Sequence, residues 1–220
     1  MDFRAQSRIV YAIWATLGVA IIWALIDGRW PVAFVAAVTL VVSCLPALAV
    51  ERLDIKLPVS FMVAIVAFTF ATIFLGEAFD FYGRYWWWDL VLHFSSAIGF
   101  GLLGFLLVFM LFEGDRYAAP PWAIAFLSLC VAVTIGAVWE IFEFTMDRSF
   151  RLNMQKSGLL DTMGDLIMDL VGGALAAFAG FVYLKGKAPG GVRALFDDFI
   201  RLNSGFYAKY RSRVRRGRRK

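Results

Sequence analysis

Six apolar stretches, about residues 9–26, 30–50, 57–76, 88–112, 121–145 and 162–184, dominate this chain. Each can cross a hydrocarbon core of ~30 Å as a helix rising ~1.5 Å per residue. In lipid every backbone N–H and C=O must be satisfied within the chain, which leaves helices for segments of this length. Composition agrees, since 61% of the residues are hydrophobic, against ~45–50% apolar in soluble domains. The sequence therefore predicts an all-α polytopic membrane protein. A bundle of about six transmembrane helices over residues 1–184 precedes a short tail over 185–220. The first stretch is read as a span and not a cleaved leader, because Ile9–Ile26 runs into Asp27-Gly28-Arg29 without a small-residue cleavage site.

Charge is divided unevenly. Residues 185–220 hold 12 Lys/Arg against Asp197 and Asp198, whereas the rest of the chain holds 10 against 15 acids. A run such as Arg211 to Lys220 favours the cytoplasmic side, and six spans then put both termini in the cytoplasm of a bacterial inner membrane. Just before that run, Leu195, Phe196, Phe199 and Ile200 recur at helical spacing between Val192 and Leu202, with Ala188-Pro189-Gly190-Gly191 as a hinge. This predicts an amphipathic interfacial helix, with anionic lipid contacted by the basic tail. Membrane lipids are the expected partners. Nucleic acid is not, because no globular domain accompanies the basic run. Cys44 and Cys130 lie in apolar runs without ligand-like spacing and read as core filling.

Against this apolar background, nine acids and the chain's one histidine gather near the ends of four spans. They are Glu77, Asp80, Asp89, His93, Glu140, Glu143, Asp147, Asp161, Asp165 and Asp169. The ends of spans three and five and the starts of spans four and six share one leaflet, the outer one under the tail-based orientation. Asp89 and His93 are i, i+4; Glu140, Glu143 and Asp147 are i, i+3, i+7; Asp161, Asp165 and Asp169 are i, i+4, i+8. Each set therefore lies on one helical face. An Asp at mid-helix depth costs about 2.5–3.5 kcal/mol. Four such acids at half that figure approach the ~5–15 kcal/mol stability of a whole domain. They must be protonated, paired, hydrated or bound to cations.

Carboxylates projected inward from facing helices resemble the way bundles build metal sites. Oxygen ligands suit a divalent cation such as Mg²⁺, Mn²⁺ or Ca²⁺ better than Zn²⁺. The expected ligands are Glu140, Glu143, Asp161, Asp165 and Asp169, with His93, Asp89 and Glu143 as candidate catalytic groups. The cation would clamp a lipid or isoprenoid phosphate. No organic cofactor is expected. Gly99-Phe-Gly-Leu-Leu-Gly104 matches a dinucleotide fingerprint, but without a preceding strand it reads as close helix packing. Two other readings fit the same acids: a non-catalytic envelope protein with a structural carboxylate–Arg network, drawing on Arg84, Arg148, Arg151, Lys156 and Arg29, and a proton- or ion-coupled carrier. The confinement of charge to one half of the spans weighs against the carrier.

The combination of Tyr82-Gly83, Trp88-Asp89-x3-His93, Glu140-x-x-Glu143, Asp147 and Gly158-x2-Asp161-Thr162-x2-Asp165 resembles the YjdF family of bacterial inner-membrane proteins. The resemblance covers about residues 57–184 and implies membrane location, not a reaction. A looser similarity runs to VanZ-like envelope proteins, whose pattern is Asp-x3-His, Glu-x-x-Gln, and Asp-x3-Asn before glycines. Here Glu143 replaces the Gln and Asp169 the Asn, so this site is the more acidic.

Overall fold

The computed structural model describes residues 7–53, 56–112 and 119–205, and among them every regular element is helical. Six helices are long and apolar enough to cross a membrane. They are α1 (Arg8–Ile26), α2 (Trp30–Leu53), α3 (Val59–Thr69) with its π-helical continuation (Phe70–Ala78), α5 (Trp88–Leu111), α6 (Pro121–Phe150) and α7 (Leu159–Leu184). A short α4 (Phe81–Arg84) and a C-terminal α8 (Gly190–Leu202) complete the order. Several boundaries shift by a few residues from the sequence expectation, and two of the shifts bear on the acidic cluster. The fifth span continues to Phe150 and the sixth begins at Leu159, so Asp147 and Asp161 are helical residues.

The chain divides into two compact units. One runs to Trp86 and includes the second half of α8 from Asp197; the other runs from Trp87 to Phe196. In the first unit Leu17, Ala36 and Phe74 form a buried core on which Ile13, Ile21, Leu40 and Phe70 pack. Gly28, at φ +70, lets α1 stop sharply. Arg29 N–H then closes on Ala24 O at 2.7 Å, and α2 starts at once. The buried hydroxyls of Thr39 and Ser43 donate to the carbonyls of Val35 and Leu40 on their own helix, so they carry no unpaired polarity. Glu77 and Asp80 are exposed residues of this unit.

The second unit is built on α5, α6 and α7, which approach through small residues. A Cβ on Gly101 would meet Ala176, one on Gly104 would meet Val131, and one on Gly173 would meet Ala132. Ser128 Oγ donates to Gly101 O at 2.7 Å, satisfying a buried hydroxyl between α5 and α6. The glycine motif of the fourth span is thus a packing surface.

Two rings on the apolar face of α8, Phe196 and Phe199, are buried on protein, while Leu195 and Ile200 on the same face are partly exposed. In the second unit Phe196 is fully buried against Phe105 and Tyr183, with ring centroids 4.7 and 4.8 Å away. In the first, Phe199 packs on Phe61, and the Asn203 side chain bonds both N–H and C=O of Lys56. The basic run 211–220 lies outside the described residues.

Candidate functional site

Three helices of the second unit supply the acidic cluster. Asp89 and His93 stand one turn apart on α5, and Asp165 and Asp169 one turn apart on α7. On α6, Gly136, Glu140 and Glu143 at i, i+4 and i+7 share a face. Burial grows along these series. The Asp89 side chain is 23% exposed and Asp161 half-buried, whereas Asp165 and Asp169 are each 1% exposed. The cluster therefore opens at the helix ends that carry Asp89 and Asp161 and closes at Asp169. Past Asp169 the small-residue contacts of α5 with α7 seal the unit.

His93 is the hub. Its Nδ1 lies 3.3 Å from Asp169 Oδ2, while Nε2 lies 3.7 Å from Glu140 Oε1 and 3.9 Å from Asp89 Oδ1. Of these, the contact with Asp169 is made as a hydrogen bond. With Nδ1 donating to that carboxylate, the Nε2 lone pair faces Asp89 and Glu140. Gly136 is what admits Asp169 to this position, since a Cβ there would strike the carboxylate. Asp89, His93 and Asp165 each offer one ligand atom, all within 4.8 Å of one another.

Much of the cluster's acidity has no hydrogen-bonding counterpart in the described residues. Both oxygens of Asp165, both of Glu140 and Oε2 of Glu143 are buried without a hydrogen-bond partner. Buried polar atoms are satisfied in the large majority of cases, so a concentration of five such atoms is informative. Thr162 and Gln155 are the hydrogen-bonding neighbours of Glu140; Gln155 Nε2 donates to Thr162 Oγ1 at 2.7 Å, which leaves the Thr162 hydroxyl proton free to turn towards that carboxylate. Trp139 Nε1 donates to Glu143 Oε1 at 3.1 Å and so fixes which oxygen of that carboxylate is left over.

The arginines are not seen in ion pairs with the cluster among the described residues, whereas Lys156 is an electrostatic neighbour of Asp89. Arg148 lies over the Phe144 ring at 5.5 Å, and Arg151, at φ 56, is exposed at the end of α6. Among the described residues neither they nor Arg84 pairs with an acid; the ion pairs recorded within the cluster run through His93.

The remaining acids of α6 and α7 hold the loop that joins them. Asp147 accepts from the N–H groups of Met154 (2.8 Å) and Gln155 (2.9 Å), and Asp161 from Lys156 N–H (3.0 Å). Asp161, an expected ligand, thus stands at the rim with a loop partner, and Asp169, another, stands behind His93. Sequence reasoning missed Gly136, Trp139, Gln155 and Thr162. The first two were accessible in principle, since each lies four residues before a cluster acid and therefore on its face. The last two depend on how the loop folds.

Comparison with known proteins places the chain among membrane proteins. The model of a family described as "Predicted membrane protein (DUF2238)" matches residues 9–186. An uncharacterized protein of Thermotoga maritima is 31% identical over 98 residues, which are 44% of this chain and 50% of the relative. The chain thus spans about half the length of that curated relative. No solved structure matches. Neither finding carries the VanZ-like similarity.

Proposed function

Because the chain belongs to this DUF2238, YjdF-like family of membrane proteins, whose description names a location and no reaction, we propose its function from the buried cluster itself. The protein holds a divalent cation within the bilayer and uses it to engage the phosphate of a lipid or isoprenoid at the outer face of the inner membrane. Asp89, Asp165 and His93 Nε2 are the ligands. An imidazole among carboxylates favours Mn²⁺ over Mg²⁺ or Ca²⁺, which prefer oxygen throughout.

One observation carries this reading. Asp165 is 1% exposed, neither of its oxygens has a hydrogen-bond partner, and it offers a ligand atom within 4.8 Å of those of Asp89 and His93. A carboxylate so placed in an apolar bundle needs a positive counterpart. The rim supports an amphiphilic substrate. Leu159 and Leu160, 75% and 78% exposed, immediately precede Asp161 at the open end, so a lipid can present its headgroup from the bilayer while its tails stay in it. The closed end below Asp169 supports a one-sided site over a carrier. A bound ion would supply electrostatic clamping of phosphate oxygens. Asp169 would act behind it, holding His93 in the tautomer that ligates.

The full chain, purified in detergent with Mn²⁺ and desalted, is expected to retain the metal in at least equimolar amount by elemental analysis. Protein that binds none of Mn²⁺, Mg²⁺ or Ca²⁺ overturns the proposal. Asp169→Asn is expected to weaken Mn²⁺ binding about 10–100-fold without changing its stoichiometry, the usual penalty for loosening a ligand's support. A loss of sites instead would make Asp169 a ligand. Sidedness is tested with Lys156→Cys in a chain lacking Cys44 and Cys130. Labelling by an impermeant maleimide on intact cells is expected, and labelling that requires permeabilisation would reverse the orientation.

A further inference from the structure

A single ion held by Asp89, His93 and Asp165 leaves part of the cluster unexplained. Glu140 and Glu143 are 4% and 6% exposed, and three of their four carboxylate oxygens have no hydrogen-bond partner. The fourth, Glu143 Oε1, is held by Trp139 Nε1 at 3.1 Å, which leaves Oε2 as the atom available to a ligand. Glu140 Oε1 lies 3.7 Å from His93 Nε2, the atom assigned to the first ion, so this second group of oxygens adjoins the first site. Both glutamates come from α6, whereas the first site draws on α5 and α7.

We infer that the centre is dinuclear: a second divalent cation is held by Glu140 and Glu143 beside the one held by Asp89, His93 and Asp165. The inference rests on the cation reading given above and extends it. Charge supports it. With His93 neutral, as a ligand must be, Asp89, Glu140, Glu143, Asp165 and Asp169 would carry five negative charges when all are ionised, as metal ligation requires of those that bind. One divalent ion leaves three of them uncompensated. Two leave one, and that one has a place, because Asp169 Oδ2 lies 3.3 Å from His93 Nδ1, which donates to it in the tautomer that ligates through Nε2. Adjacent cations also narrow the substrate class, since a pair of ions clamps the oxygens of one phosphate or pyrophosphate ester more fully than a single ion does.

Mn²⁺ titration of the EDTA-stripped full chain in detergent, counted by equilibrium dialysis and followed by electron paramagnetic resonance, tests this. Wild type is expected to bind two Mn²⁺ per chain with the signature of a spin-coupled pair. Glu143→Gln and Glu140→Gln are each expected to bind one, with the six-line spectrum of an isolated ion. One Mn²⁺ per wild-type chain, or two retained in both variants, overturns the dinuclear centre and leaves the single-ion reading standing. No Mn²⁺ in wild type removes both. Because one ion or none in wild type overturns the inference without any variant, a variant that fails to fold does not rescue it.

Discussion

Asp165→Asn is expected to make the protein less responsive to chelation, with any remaining response due to the ion at Glu140 and Glu143, and, once metal is stripped, more stable than wild type. The reason is the sign of one buried charge. Asp165 is 1% exposed and neither oxygen has a hydrogen-bond partner among the described residues. Without a cation, its carboxylate bears a cost of the order of 2.5–3.5 kcal/mol for an acid at mid-helix depth. Asparagine keeps the volume and removes the charge. Its amide is itself buried, so the net gain in stripped protein is expected at about 1–2 kcal/mol. With metal the order reverses, because binding stabilises only the chain that binds: about 2.7 kcal/mol at a free concentration of ~100 Kd. Thermal unfolding in detergent, with Mn²⁺ and with EDTA, reads both arms. At about 2–4 °C per kcal/mol for a chain of this size, the two curves are expected to cross by several degrees. A wild type unmoved by EDTA, with Asp165→Asn less stable in both conditions, would mean that protein groups already satisfy this acid.

Hydropathy located all six spans because a membrane removes the alternatives. Once a stretch is long and apolar, its backbone must be helical, and Arg8–Ile26 or Trp88–Leu111 could be read almost to the residue. What hydropathy does not encode is how helices end in polar company. Asp147 and Asp161 looked like further members of an acidic funnel, yet their partners are N–H groups of the α6–α7 loop. The spacing that puts acids on one face does not say whether the next turn offers them a cation or a backbone. The π-helical turn from Phe70 to Ala78 left no trace of proline or glycine pairs to announce it.

Part of the cluster was legible because period and burial coincide. Asp89 with His93, and Asp165 with Asp169, are one turn apart on helices that pack together, so they meet. Their division of labour was not legible. Whether a carboxylate faces the imidazole or a shared centre depends on clearances of about an ångström, such as the room Gly136 leaves for Asp169. The amphipathic pattern of α8 is legible as a face, but not the rings that meet part of it. Phe196 is buried by Phe105 and Tyr183, and a sequence pattern cannot distinguish a protein surface from a lipid one.

That dependence on clearance makes Gly172→Leu the most damaging substitution expected away from the charged groups. A Cβ on Gly172 would lie 2.5 Å from Phe94 O and 3.0 Å from Ala97 Cβ. The first is backbone of α5 and cannot rotate aside, so any side chain must push α5 and α7 apart. Overfilling a packed interface costs typically 1–3 kcal/mol and sometimes more. For leucine against a carbonyl, about 3 kcal/mol is expected, a large share of a ~5–15 kcal/mol total. The consequence reaches the site, because Gly172 is one turn beyond Asp169 on the helix face that carries it towards His93. Gly172→Leu is therefore expected to yield little monodisperse protein. Gly172→Ala is expected to fold with about 1–2 kcal/mol less stability and to bind Mn²⁺ more weakly although no ligand has changed. Gly99→Ala, on α5 with nothing within 4 Å of its Cβ, is the control. It is expected to be neutral or to add up to about 1 kcal/mol from helix propensity. Detergent unfolding curves and Mn²⁺ titration of the three variants separate these outcomes. Equal behaviour of Gly172→Ala and Gly99→Ala would show that the α5–α7 contact yields, and that the spacing of His93 from Asp169 is not set by it.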